Sequence, residues 1–61
     1  MGRKKILEKR LARLQKKMKD LADRALASQD ANEVRAINAQ MEDLKDDIDE
    51  VQEEIAAIDA D

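Results

Sequence analysis

Aliphatic residues recur along this chain in two series, each with a seven-residue repeat. Spacings of three and four residues alternate within each series. Two apolar positions per heptad, called a and d, are typical of helices that pair in a coiled coil. We call the fourteen repeating residues the seam. They are Leu7, Leu11, Leu14, Met18, Leu21 and Ala25 in the first series, and Val34, Ile37, Met41, Leu44, Ile48, Val51, Ile55 and Ile58 in the second.

The two series are out of phase with each other, which predicts a break between them. Continuing the first series leads to the polar Ser28 and Asn32, whereas the second series opens at Val34. A jump of two residues is neither of the phase shifts of three or four residues that a continuous coiled coil tolerates. Asp30 and Glu33 also have the spacing of a helix capping box. We therefore predict helices over about residues 3–27 and 31–59, joined by a tight turn near Ser28 and Gln29.

A connection this short makes the two helices antiparallel neighbours. The fold class is then all-α, a two-helix coiled-coil hairpin forming one domain over residues 1–61, with oligomerisation into a bundle left open. Antiparallel coiled coils stack a against d, and every layer here obeys this rule. The layers are Leu7–Ile55, Leu11–Val51, Leu14–Ile48, Met18–Leu44, Leu21–Met41 and Ala25–Ile37. Two alternatives stay open: a single bent helix of about 85 Å, and a dimer of extended helices that swap partners.

Charge divides the chain at the same place as the apolar pattern. Residues 1–27 carry a formal charge of +7 and residues 28–61 carry −10, within a net charge of −3. In a hairpin, the g positions that flank the seam face each other. They place Arg10 near Glu54, Lys17 near Asp47 and Arg24 near Gln40. Exposed ion pairs are worth only about 0.2–1 kcal/mol each, so we expect them to set register and orientation more than stability.

Local electrostatics favour the hairpin as well. Cations lie at the start of the first helix and anions at the end of the second, and both oppose the helix dipole. The second helix also places like charges four residues apart, for example at Glu42 and Asp46, which repel. Such departures from local rules usually have a compensation elsewhere. A hairpin supplies one, because it sets the two unfavourable helix ends side by side.

Composition argues against catalysis and against bound cofactors. The chain has no Cys, His or aromatic residue, and 44% of its residues are charged. General bases, metal ligands and nucleophiles are therefore scarce, and we expect no enzyme activity, cofactor, metal site or small-molecule substrate. The acidic run 46–50 is interpreted as a solvated helix face, since a calcium loop needs a glycine turn. No segment has the composition of a secretory signal or a membrane span.

Three stretches of the sequence resemble a known family. They are LARLQKKMKDLA (11–22), NEVRAINAQMEDLK (32–45), and the acidic run that continues through Asp46, Ile48, Glu53 and Ile55. Together they resemble the N-terminal delta, or scaffolding, domain of tailed-phage major capsid proteins of the Hong Kong 97 type. EVRAINAQMEDLKDDI (33–48) is the most similar part. The shell-forming domain that follows in that family is missing from these residues.

The resemblance implies a role in virion assembly. Such domains steer capsid subunits into a procapsid, lie inside the shell in the host cytoplasm, and are removed by a maturation protease. The implied partners are other copies of the capsid protein, self-association of this segment, and that protease.

Two other functional hypotheses follow from the charged helices. The acidic second helix could belong to a small regulator or inhibitor that mimics nucleic acid. The basic first helix could contact nucleic acid or an anionic membrane. We expect neither of the latter contacts, because the acidic helix of the same chain covers the basic one.

Overall fold

The computed structural model describes residues 2–60, which form two helices. Helix α1 spans Arg3–Ala27 and helix α2 spans Ala31–Ala60. The two helices pack against each other as a hairpin, so the predicted all-α fold is confirmed. Helix α2 continues one residue beyond the predicted end at 59. No strand lies within residues 2–60.

Helix α1 consists mainly of residues with high helix propensity, namely Ala, Leu, Lys and Arg, whereas α2 combines Ala and Glu with Asp and Ile, and the chain has no proline. The single glycine, Gly2, lies just outside α1 as its N-cap in an extended conformation. Its carbonyl oxygen accepts hydrogen bonds from the N–H groups of Lys5, at 3.2 Å, and Ile6, at 3.4 Å. Residue types that would interrupt a helix are thus absent from both helix interiors.

The turn between the helices comprises residues 28–30. Ser28 ends α1 with extended backbone angles, φ −81° and ψ 140°, and its N–H donates to the carbonyl of Arg24 at 3.0 Å. Asp30 then caps α2, because its Oδ1 accepts a hydrogen bond from the N–H of Asn32 at 2.9 Å. The extended backbone of Ser28 reverses the direction of the chain, and residues 28–30 include neither a glycine nor a residue with positive φ.

The capping box predicted at Asp30 and Glu33 is not the arrangement that forms. In a capping box, the Glu33 side chain would accept a hydrogen bond from the N–H of Asp30. That N–H instead donates to the Ser28 Oγ at 3.2 Å. Ser28 lies only two residues before Asp30, and its short side chain loses less conformational freedom than that of Glu33 would. The Ser28 oxygen therefore accepts the hydrogen bond that Glu33 accepts in a capping box.

The overall dimensions follow from folding the chain back on itself. The principal extents are 47 × 17 × 11 Å. A 30-residue helix is about 45 Å long at 1.5 Å per residue, so α2 accounts for the whole length. The alternative of a single bent helix of about 85 Å is therefore wrong for this structure.

Candidate functional site

The inner surface of the hairpin is formed by the seam. All fourteen seam residues are buried or half-buried. The most buried are Leu7, Ile37 and Val51, at 7%, 3% and 4% exposure. Outside the seam, the only residues in 2–60 that are less than fully exposed are Lys4, Ala22, Ser28 and Glu54. The apolar repeat and the buried strip of the molecule thus coincide.

Lys4 extends the buried strip by one position, which the apolar pattern did not reveal. It occupies the a position before Leu7 and is half-buried. Lysine can lay its aliphatic stem along an apolar surface while its ammonium stays in water. Here the Lys4 Nζ lies 2.6 Å from Asp59 Oδ1. The heptad spacing places residue 4 at an a position, but a charged residue is not counted in an apolar repeat.

The Lys4–Asp59 contact changes the titration of the lysine. The hydrogen bond to Asp59, and then the attraction to its charge, raise the pKa of Lys4 above the ordinary 10.5. Glu8, one turn along α1, adds a smaller attraction that acts in the same direction. The positive charge at the start of α1 is thereby held by carboxylates, the nearer of which belongs to α2.

The same contact supports the layer register inferred from the sequence. In that register, residues at the same height have numbers that sum to 62. The residue numbers of Lys4 and Asp59 sum to 63, within one of the register, whereas those of a second, longer ion pair between the helices, Arg3–Glu54 at 3.9 Å, sum to 57. Since α1 starts where α2 ends, the contact also fixes the helices as antiparallel.

Among the charged residues predicted to flank the seam, Glu54 is the one for which the structure shows an ion pair within residues 2–60. Glu54 lies 3.9 Å from Arg3, at Glu54 Oε1 and Arg3 Nη2, instead of pairing with Arg10. Within residues 2–60, Lys17 and Asp47 form no ion pair either. Arg3 and Arg10 are both g residues, one heptad apart, and the long Arg3 side chain reaches Glu54 from the open end. Exposed charges of this kind gain too little to hold a fixed partner.

The remaining seam-flanking prediction, Arg24 near Gln40, involves two exposed residues. Arg24 lies in the last turn of α1, where a cation favours the helix dipole. Glu33 has the corresponding favourable place in the first turn of α2. The turn end of the hairpin is therefore electrostatically favourable for each helix, whereas the open end depends on the pairs between helices.

The outer faces of the two helices, at heptad positions b, c and f, point away from the seam and carry opposite charges. Between residues 5 and 19, the outer positions of α1 hold cations, Ile6 and Ala12, and no carboxylate. Between residues 42 and 53, every outer position of α2 holds a carboxylate. These residues are all exposed: Glu42, Asp43, Asp46, Asp49, Glu50 and Glu53.

The described residues form surfaces and no enclosed site. Residues 2–60 contain no pocket and no group of three side chains that could hold a metal ion. Neither helix in this range is long and apolar enough to cross a bilayer.

Comparison of the chain with protein-family models, with curated proteins and with solved structures finds no match. The sequence stretches quoted above, together with the seam and the charged faces of the hairpin, are therefore the observations that bear on function.

Proposed function

We propose that this chain is a scaffolding domain for capsid assembly, of the kind that the delta domain provides in Hong Kong 97-type capsid proteins. Its task is to bring capsid subunits together through helical contacts, inside a procapsid in the host cytoplasm. A maturation protease then removes it. Other copies of the capsid protein are its partners, and the chain performs no catalysis.

One observation carries the proposal: the whole described chain is used to build a charge-divided helical hairpin. The seam closes α1 against α2, and the long exposed faces that remain carry opposite charges. Such a molecule has surfaces for other helices and no pocket for a substrate in residues 2–60. The stretch EVRAINAQMEDLKDDI lies in α2, so the segment most similar to delta domains supplies five of the fourteen seam residues.

The alternative of an acidic regulator is favoured by a separate observation, the unbroken carboxylate face of α2. Binding of a basic partner to that face would weaken steeply as salt screens the charges. Apolar contacts between helices would persist in the same salt. Copies of a scaffold that meet through charged faces would respond to salt in the same way, so the acidic regulator is identified instead by a salt-sensitive complex with a basic partner other than this chain.

Particle assembly tests the proposal directly. The 61-residue chain is fused to the N-terminus of a Hong Kong 97-type capsid protein from which its own delta domain has been deleted. We expect closed, procapsid-sized particles in sedimentation and electron microscopy. A fusion that gives the same aberrant products as the deleted protein would contradict the scaffolding function.

A pair of substitutions makes the assembly test specific to the hairpin. Leu14→Asp places a charge in the middle of the seam, opposite Ile48, and should abolish the particles by opening the helices. Gln15→Asp introduces the same side chain at the adjacent, exposed position and should leave the particles intact. Equal yields from the two fusions would mean that the hairpin is not what directs assembly.

A further inference from the structure

We propose that hairpins associate edge to edge, with the basic outer face of α1 in one copy against the acidic outer face of α2 in the next. This inference rests on the proposed assembly function and specifies the contact by which copies meet. The basic edge is defined as Arg13, Lys16 and Lys19, and the acidic edge as Glu42, Asp46 and Glu50. All six residues are exposed.

The fold leaves these two edges uncovered. The ion pairs at the open end use Arg3, Lys4, Glu54 and Asp59, which lie beside or within the seam. Outer residues lie on the far side of each helix and cannot reach the other helix of the same hairpin. Their charges are therefore not neutralised by the intramolecular contact that explains the rest of the charge division.

The charged residues of the two edges also lie at matching heights along the helices. When two hairpins lie side by side in the same orientation, α1 of one lies antiparallel to α2 of its neighbour. Residues at the same height then obey the register inside the hairpin, with numbers that sum to about 62. Each cation of the basic edge meets a carboxylate in the same heptad row: Arg13 meets Glu50 at c, Lys16 meets Asp46 at f, and Lys19 meets Glu42 at b.

The same alignment gives a place to an otherwise unexplained residue. Ile6 is 58% exposed and lies outside the seam. In the edge-to-edge register it faces Ala57 of the neighbour, also an exposed c residue. One like-charged pair, Asp20 with Asp43, opposes the contact. Three attractive pairs and an apolar pair outweigh that single repulsion.

The charges also favour hairpins that lie side by side in the same orientation over a two-fold symmetric dimer. A side-by-side two-fold arrangement would place α1 against α1 or α2 against α2, which sets like charges together. The proposed contact uses two different surfaces of each copy, so it is heterologous. Every hairpin then has two neighbours, and growth continues into a ring or ribbon instead of stopping at two copies. Surface ion pairs are weak and screened, so the contact forms in low salt or between copies already held together.

The test is sedimentation velocity on the 61-residue chain over a concentration series, in about 10 mM and about 0.5 M salt. We expect species that grow with concentration in low salt, without a limiting dimer, and that dissociate in high salt. Lys16→Glu should weaken the association about tenfold or more, because it faces Asp46. Lys5→Glu makes the same change of charge at an exposed outer position that faces Ala56, and should have a much smaller effect.

A charge-exchange experiment completes the test. Arg13→Glu/Lys16→Glu makes both edges acidic, and Asp46→Lys/Glu50→Lys makes both edges basic. Each chain alone should stay monomeric, and an equimolar mixture should associate. Circular dichroism checks that each variant is helical. Failure of the mixture to associate would overturn the pairing, as would equal effects of Lys16→Glu and Lys5→Glu.

The remaining outcomes also decide the matter. A natural chain that is monomeric in low salt at about 1 mM, where even weak contacts of millimolar affinity form, overturns the edge contact. If that monomer retards a DNA duplex in the same salt, the basic edge is assigned to nucleic acid. Particles from the capsid fusion carrying Arg13→Glu/Lys16→Glu would leave the scaffolding function standing while removing the edge contact from it. Loss of particles from the unmodified fusion removes the scaffolding function itself.

Discussion

The contribution of an individual residue in this hairpin depends on its distance from the seam. Lys4 and Lys5 are adjacent in sequence, yet Lys4 is half-buried beside α2 and reaches Asp59, whereas Lys5 is exposed on the outer face. Two neighbouring lysines therefore have different roles, and the heptad position decides which role each one has.

Substitution of Lys4 is expected to lower the stability of the hairpin at neutral pH but not at strongly alkaline pH. A pKa raised by folding stabilises the folded state at pH values below the unfolded-state pKa, and this stabilisation is lost as the pH rises through the folded-state pKa. The pKa of Lys4 is raised above 10.5. Lys4→Gln should thus lower the melting temperature slightly at neutral pH, and its difference from the unsubstituted chain should disappear as the pH rises through the raised pKa of Lys4.

Thermal melts followed by circular dichroism measure this difference. Lys5→Gln removes the same charge from the outer face and is the matched control. A deficit for Lys4→Gln that persists unchanged at strongly alkaline pH would show that the side-chain stem, and not the charge, is responsible.

The most buried side chain, Ile37, offers a second test at the scale of the residue. It is 3% exposed, and the predicted layer register places it opposite the small Ala25. Ile37→Ala should cost about 2–5 kcal/mol and Ile37→Val about 0.5–1.5 kcal/mol of unfolding free energy. Urea titrations measure both values, and the milder change keeps the experiment informative if the alanine variant is largely unfolded.

Ile6→Val is the control for Ile37→Val, since it removes the same methyl group from a residue that is 58% exposed. We expect it to be nearly neutral at a protein concentration where the chain is monomeric. Equal losses at the two positions would contradict the burial of Ile37 in the seam.

At the scale of the element, the turn determines where α1 ends and where α2 begins. Asp30 caps α2 through the N–H of Asn32, and Ser28 accepts from the N–H of Asp30. The phase break and the caps were readable in the sequence, because polar residues interrupt a strict apolar repeat. The hydrogen bond from Asp30 to Ser28 was not, because it depends on the extended backbone of Ser28, which no residue type in this turn enforces.

Loss of the cap should destabilise the hairpin measurably. Asp30→Ala is expected to cost about 0.5–2 kcal/mol, whereas Asp30→Asn, which retains an accepting oxygen, should lose much less. Gln29→Ala changes an exposed residue of the same turn and serves as the control. Urea unfolding of the three variants measures these differences. A loss for Gln29→Ala equal to that for Asp30→Ala would mean that the turn conformation matters and the cap does not.

Charge pairing was less predictable at this scale than apolar pairing. The seam is specified by many side chains that can be buried in only one way, so its spacing alone predicts which residues are covered. Arg10 and Lys17 lie beside the seam in contact with water, and the structure places neither in an ion pair with another residue of the range 2–60. Long exposed side chains choose among several carboxylates at almost equal free energy.

At the scale of the whole molecule, the hairpin leaves much of its surface in water. Its accessible area is 4924 Å², whereas a folded globular protein of 6.9 kDa has about 4,000 Å². The cause is the narrow apolar stripe, since two positions in seven cover only a strip on each helix. Such a molecule can cover more of this area by associating with other copies. The opposite charges of its outer faces then determine which faces meet.

The three-residue turn also sets an order for folding. Ala25 and Ile37 are 12 residues apart in the chain, whereas Leu7 and Ile55 are 48 apart. Closing the longer loop first would cost about 1.2 kcal/mol more in chain entropy. Each layer that forms near the turn shortens the loop that the next layer must close. The helices therefore pair progressively from the turn toward the open end. Opening runs the other way, and the ion pairs of Arg3 and Lys4 lie at the end that opens first.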